Sequence, residues 1–250
     1  MMRFVRSAWV LALAGAMAAP VAARAQAAHK PVVAVLYFDN NSLGKDAKDY
    51  DGIGKGVADM LITDLAASPG VTVVDRDRIQ QVLQEQNLIK TGAIDPQTAV
   101  RVGKLLGAQY AITGGFMSDG RGNMVLTARS INMETSAISN PERVQAKTDD
   151  VLGIIAKLSD KVVHDMKLPA LVTGQNGNGS MKPAENVGQA PAKEQPKMDL
   201  RTAMLYSKAL DAQDSGDSKK AAELYRAVLD KFPDYAPAKA GLAKASKSGD

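Results

Sequence analysis

Residues Val71 to Phe116 constrain the fold more than any other stretch, because they read strand, helix, turn, helix, strand. Val71–Val74 is a β-branched run. Ile79, Val82, Leu83 and Gln86 then recur at the steps of one helix face, with Asp77 placed to cap it. Asp95-Pro96 opens a second helix, the aspartate as N-cap and the proline in the first turn. Its apolar side carries Ala99, Val102, Leu105 and Leu106, and Gly107 ends it. Tyr110–Phe116 closes the unit as a strand, and Gly114-Gly115 inside it predicts a bulge or a close backbone approach.

The flanking segments extend this pattern. Val32–Phe38 is almost wholly apolar, which suits a strand buried on both faces. Ile53, Val57, Met60, Leu61 and Leu65 share one face of a helix over Ile53–Ala67, which Pro69-Gly70 stops. Met124–Met133 alternates as a half-buried strand, with Leu126 and Ala128 opposite Val125 and Thr127, and Arg143–Lys147 is its returning partner. Asp149 or Asp150 caps a helix striped by Val151, Ile154, Ile155, Leu158, Val162 and Met166. The order β-α-β-α-α-β-β-β-α predicts an α/β fold: a mixed sheet with packed helices.

Residues 1–25 read as an export signal. Arg3 and Arg6 precede a short apolar run, and Ala23-Arg24-Ala25 is a cleavage site. Cleavage there leaves 28 basic residues against 27 acidic, so the basic balance belongs to the signal and nucleic-acid binding loses its electrostatic support. The chain has no cysteine, which excludes disulfides, thiol catalysis and a lipidated cysteine anchor. No later run has the length of a membrane helix. These features predict a periplasmic protein, associated with the outer membrane only through partners.

The α/β domain is expected over 30–167. Residues 168–198 are rich in proline and glycine, lack aromatics and read as a flexible linker. Residues 199–248 read as a small helical hairpin. With Pro233 as the end of a 34-residue unit, Ala209, Gly216-Asp217, Ala221 and Tyr225 fall where a tetratricopeptide repeat places small, turn, small and aromatic residues. Leu205 and Ala212 stand where that pattern has tryptophan and tyrosine. A third helix is expected over Tyr235–Ala245. A single unit cannot bury its own face, so it docks on the first domain, self-associates or binds a partner. Tyr206, Leu210 and Gln213 line one side of its first helix and form the predicted partner-contact set, the alternative being that they pack within the chain.

No catalytic, cofactor or metal constellation emerges. Gly52–Val57 has the glycines of a dinucleotide loop but not the tight turn or the third small residue, and reads as a flexible helix start. Asp39, Asp46, Asp49 and Asp51 do not have the spacing of a calcium loop. His29 and His164 lie far apart, and no Ser, His and Asp set is placed for nucleophilic catalysis.

The blocks Val73-Val74-Asp75-Arg76, Ile79, Val82-Leu83, Glu85-Gln86 and Leu88, followed by Gly103–Ala108 and Thr113-Gly114-Gly115, resemble the CsgG-like family of bacterial envelope proteins. The fold of that family is related to the TolB N-terminal domain. Asp75 departs from the more common glutamate. The resemblance implies a non-enzymatic role in outer-membrane or cell-surface assembly, with protein partners and a homo-oligomeric ring. The family's best-known form is a secretion channel for curli subunits, with a lipidated cysteine and two long membrane hairpins. This chain lacks the cysteine, and its one hairpin, Met124–Lys147, is short and carries Arg129, Glu134, Glu142 and Arg143. The resemblance therefore favours a periplasmic scaffold in envelope assembly or secretion over a pore. Related folds occur in penicillin-binding-protein activators, so the second reading is a periplasmic activator of a cell-wall synthase.

Overall fold

The computed structural model describes residues 30–43, 47–68, 70–88, 94–166 and 197–248. The export segment and nearly all of the expected linker lie outside them.

The sheet runs β3-β1-β4-β5-β6, with β2 continuing beside β4. Its strands are β1 (Val32–Val35), β2 (Asp39–Asn40), β3 (Thr72–Val73), β4 (Tyr110–Ser118), β5 (Asn123–Asn132) and β6 (Glu142–Lys147). β1 is parallel to β3 and β4, while β4, β5 and β6 form an antiparallel meander. The sheet is mixed, as the element order predicts. The β4–β5 register steps evenly from Tyr110↔Asn132 to Ser118↔Met124, so Gly114-Gly115 makes no bulge. It makes the close approach instead: a Cβ at Gly114 would overlap the Thr127 carbonyl and the Phe38 ring.

Helices cover both faces of the sheet. On one side lie α1 (Ile53–Ala66) and α4 (Val151–Asp165), packed on Val33, Val35, Ile112 and Leu126. On the other lie α2 (Arg76–Glu85) and α3 (Pro96–Leu105), packed on Leu36, Ala111, Ile131 and Met133. Strand alternation sends Val35 to one layer and Leu36 to the other. Asp95 caps α3 as expected, accepting from Gln97 N at 2.9 Å and Thr98 N at 3.0 Å. Asp150 caps α4.

Three local expectations are corrected. Asp75, not Asp77, caps α2: its backbone is extended and its carboxylate accepts from Asp77 N at 2.8 Å. That frees Asp77 for ion pairing. Gln86 is exposed at the C-cap, and Gln80 is buried in its place. Leu105 is 50% exposed. α3 instead turns Ala99, Val102 and Gly103 inward, and a Cβ on Gly103 would run into Met133.

The tail is α5 (Leu200–Asp214), α6 (Ser218–Lys231) and α7 (Ala236–Ser248), each packed against the next. Ala209, Ala221 and Tyr225 are buried between the helices. Tyr206, Tyr225, Phe232 and Tyr235 form an aromatic cluster, with Tyr206 and Tyr235 edge-on at 5.1 Å. The tail's apolar residues belong to the same continuous cluster as Val57 and Leu61 of α1.

Candidate partner-binding groove

Three sets of contacts seat the tail on the α/β domain, at the start of α4 and on α1 and α2. The first is main chain: Val151 N donates to Met198 O and Leu200 N donates to Thr148 O, both at 2.8 Å. The second is steric. A Cβ at Gly56 would overlap Ser207 Oγ of α5, while within the α/β domain one at Gly54 would overlap the Phe38 carbonyl. The glycine run that read as a flexible helix start is therefore helical from Ile53 on and close-packed on two sides.

The third is an ion cluster. Arg76, 5% exposed at the first turn of α2, donates to both Asp214 oxygens at 2.9 and 3.0 Å and to Asp77 at 2.7 Å. Its Nε lies 3.6 Å from Asp59 on α1. Lys55 on α1 reaches Asp214 at 2.8 Å and Asp211 at 2.5 Å. The Tyr206 hydroxyl donates to Asp59, and Lys244 on α7 bridges to Asp77. Three cations thus serve four carboxylates across the junction.

Burial raises the Asp59 carboxyl above its ordinary value, against the lowering pull of the Tyr206 hydroxyl and Arg76. Burial, then the Asp59 charge, pushes the Tyr206 hydroxyl far up, so it keeps its proton and donates. Burial alone would lower the Arg76 guanidinium, but Asp214 outweighs it and holds it charged. Burial would also raise Asp77; Lys244 and Arg76 reverse that and lower it.

Between α1, the start of α2, α5 and α7 this seating leaves a groove of about 500 Å³. Its wall includes Ile62, Leu210, Tyr206, Pro237 and Ala240. Beyond the Asp77–Lys244 bridge it opens into a polar cavity of about 440 Å³.

The predicted contact set lies together on this wall. Tyr206 and Leu210 are 2% and 3% exposed, and Gln213 accepts the Tyr225 hydroxyl at 3.0 Å. The main surfaces of Tyr206 and Leu210 are thus spent within the chain, the alternative reading of the set, and only their edges reach the groove, while Gln213 is half-buried. Lys55, Asp59, Arg76 and Asp214 escaped sequence reasoning. The available signal was the small-residue run Gly54, Gly56, Ala58 on α1, which marks a helix covered on more than one side. Among the described residues no group of three or more His, Cys, Asp or Glu is placed to hold a metal ion, and no helix is long and apolar enough to cross a membrane.

Residues 14–121 match the model of the family described as curli production assembly/transport component CsgG, which is less than half of the 250-residue chain. No curated protein matches. Among solved structures the chain is similar to the LpoB C-terminal domain from Salmonella enterica, at 16% identity over 47% of this chain and 83% of that one, with a TM-score of 0.37. It is similar to TolB from Acinetobacter baumannii at 13% identity, over 54% of this chain and 28% of that one, with a TM-score of 0.35. A PelC dodecamer from Paraburkholderia phytofirmans is similar at 16% identity, over 54% of this chain and 85% of that one, with a TM-score of 0.33.

Proposed function

We propose that this chain is a non-enzymatic periplasmic protein that binds one envelope partner at a time in the groove between its α/β domain and its helical tail. The tail acts as a tetratricopeptide-like unit whose open side is completed by α1 rather than by further repeats. Tyr206, Leu210 and Gln213 form the floor of that site. One observation carries the reading: α5 buries its apolar face on the chain's own α1, so no second copy is needed to cover it. This favours a one-to-one activator, of the kind that regulates a cell-wall synthase, over a ring-forming scaffold for secretion.

The test has two parts. Light scattering on the chain from residue 26 should give a monomer. A photo-crosslinking phenylalanine at Ala240, exposed on the groove rim, should then give one heterologous adduct in cells, with a cell-wall synthase. A discrete multimer, a ladder of self-adducts or no adduct would each contradict the proposal.

A further inference from the structure

The helices cover the sheet unequally. On one face α1 and α4 pack along its length, on Ile112, Leu126 and Val144. On the other, α2 and α3 reach only Leu36, Ala111, Ile131 and Met133. The second half of β4, the first half of β5 and β6 are left with a face on which no helix among the described residues packs. Strand alternation and the register assign its residues. Met117 lies opposite Val125, Thr127 opposite Arg143, and Asn123 opposite Lys147. Arg129, two positions beyond Thr127, shares the same face. None of these residues lines the groove beneath the tail.

Charge is sorted across these strands. They hold one acid, Glu142, and three bases, Arg129, Arg143 and Lys147. Glu142 turns to the helix side and accepts from Lys161 of α4 at 3.1 Å. The three bases point to the open face, are exposed, and make no ion pair among the described residues. Arg129 and Arg143 are diagonal neighbours, a placement of about 7–8 Å at which like charges repel. A groove of about 470 Å³ between the start of α3 and the sheet brings Asp39 and Asp95 near Arg129, but neither pairs with it. Asp95 spends its oxygens on the first turn of α3, and burial raises the Asp39 carboxyl above its ordinary value. Charges on an edge strand discourage sheet extension, which accounts for Arg143 and Lys147. It does not account for Arg129, because β5 lies inside the sheet between β4 and β6.

The other end of the face is apolar. Met117 is 39% exposed, and Val125 opposite it is half-buried. Methionine and arginine are both enriched in protein interfaces, and arginine is a frequent hot spot. A free anion makes no use of Met117. A lipid surface calls for clusters of about 4–8 basic residues, against the three on this face. We infer that the open face of β4, β5 and β6 is a second protein-docking surface. Its partner sets two neighbouring carboxylates on Arg129 and Arg143 and an apolar side chain on Met117 and Val125.

The experiment places a photo-crosslinking phenylalanine at Gln145, exposed on this face opposite Val125, in the full chain in cells. One heterologous protein adduct is expected, mapped by mass spectrometry to a segment bearing two carboxylates. Arg129→Glu with Arg143→Glu should reduce the adduct at least about ten-fold. Exchanging the partner's two carboxylates for lysine should restore it in that charge-reversed variant. A second measurement separates docking from folding. Arg129→Gln with Arg143→Gln relieves the repulsion, so the variant should melt no lower than the wild type. A lower melting temperature would show that the arginines serve the fold and would overturn the inference. So would an adduct with lipid or glycan, an adduct indifferent to charge reversal, self-adducts, or no adduct. The Ala240 crosslink is read in parallel: its presence without a Gln145 adduct strikes this surface and leaves the groove as a partner site.

Discussion

The two faces of α1 are packed by different means. Toward the sheet, Val57 and Leu61 meet Val33, Val35 and Ile112 in a wholly apolar contact. Toward the tail, Gly56 meets Ser207, and Asp59 meets Tyr206 and Arg76. The first face gains from area removed from water and tolerates small changes of shape. The second depends on close backbone approach and on every buried charge finding its partner, so it is specific and easily broken. A helix packed this way joins two units into one body while leaving a groove where their surfaces do not meet.

Four substitutions separate these regimes. The largest effect is expected far from the tail, in the layer formed by α2 and α3. Leu83→Asp buries an unpaired charge among Ile79, Val82 and Val102 and should abolish the cooperative thermal transition. If this variant melts like the wild type, the apolar layer does not carry the fold as described.

Arg76→Leu comes next. Its side chain is 6% exposed and its partner Asp214 is 9% exposed, so the change removes two charged hydrogen bonds, leaves Asp214 to Lys55 alone and should cost about 1.5–3 kcal/mol by urea unfolding. A loss below about 1 kcal/mol would place this pair with ordinary surface bridges.

Gly56→Ala isolates the steric contact. In an open helix the change would be favourable, but here the methyl overlaps Ser207 Oγ and should destabilise by about 1–3 kcal/mol. Ser207→Gly added to Gly56→Ala should recover part of that loss. A stabilising Gly56→Ala would show that α5 does not lie against this face.

The smallest effect is a change in pH dependence. The folded carboxyl of Asp59 titrates above its ordinary value of 3.8, so between the two values the native state holds a proton that the unfolded chain has released. Stability therefore falls as pH rises through that window. Asp59→Asn keeps an oxygen for the Tyr206 proton and removes the fall. Its urea midpoint should gain on the wild type as pH rises through the window and hold a constant lead above it. A constant difference at all pH values would mean that Asp59 titrates as an exposed acid.

The sequence made the regular elements legible for a local reason. Apolar residues at helical or alternating spacing mark the side that faces a core, and Val102, Leu126 and Ile155 are all buried as that pattern requires. Caps at Asp95 and Asp150 were equally local. The junction was not legible, because its signals are ambiguous in one dimension. Arg76 and Asp214 are 138 positions apart and each looks like a solvated charge until folding brings them together. Gly56 looks like flexibility until a second helix lies on it. For the same reason Tyr206 and Leu210 read as an open contact surface, whereas the fold uses most of each side chain internally and leaves their edges to line the groove.

A double-mutant cycle shows whether tail and α/β domain are joined into one cooperative body. Arg76→Leu, Asp214→Leu and the pair together would be unfolded in urea and followed by tail and domain probes. Coincident single transitions and a coupling between the two sites of about 2 kcal/mol or more are expected. Additivity within about 0.5 kcal/mol, or a tail that unfolds in its own earlier transition, would contradict a single body.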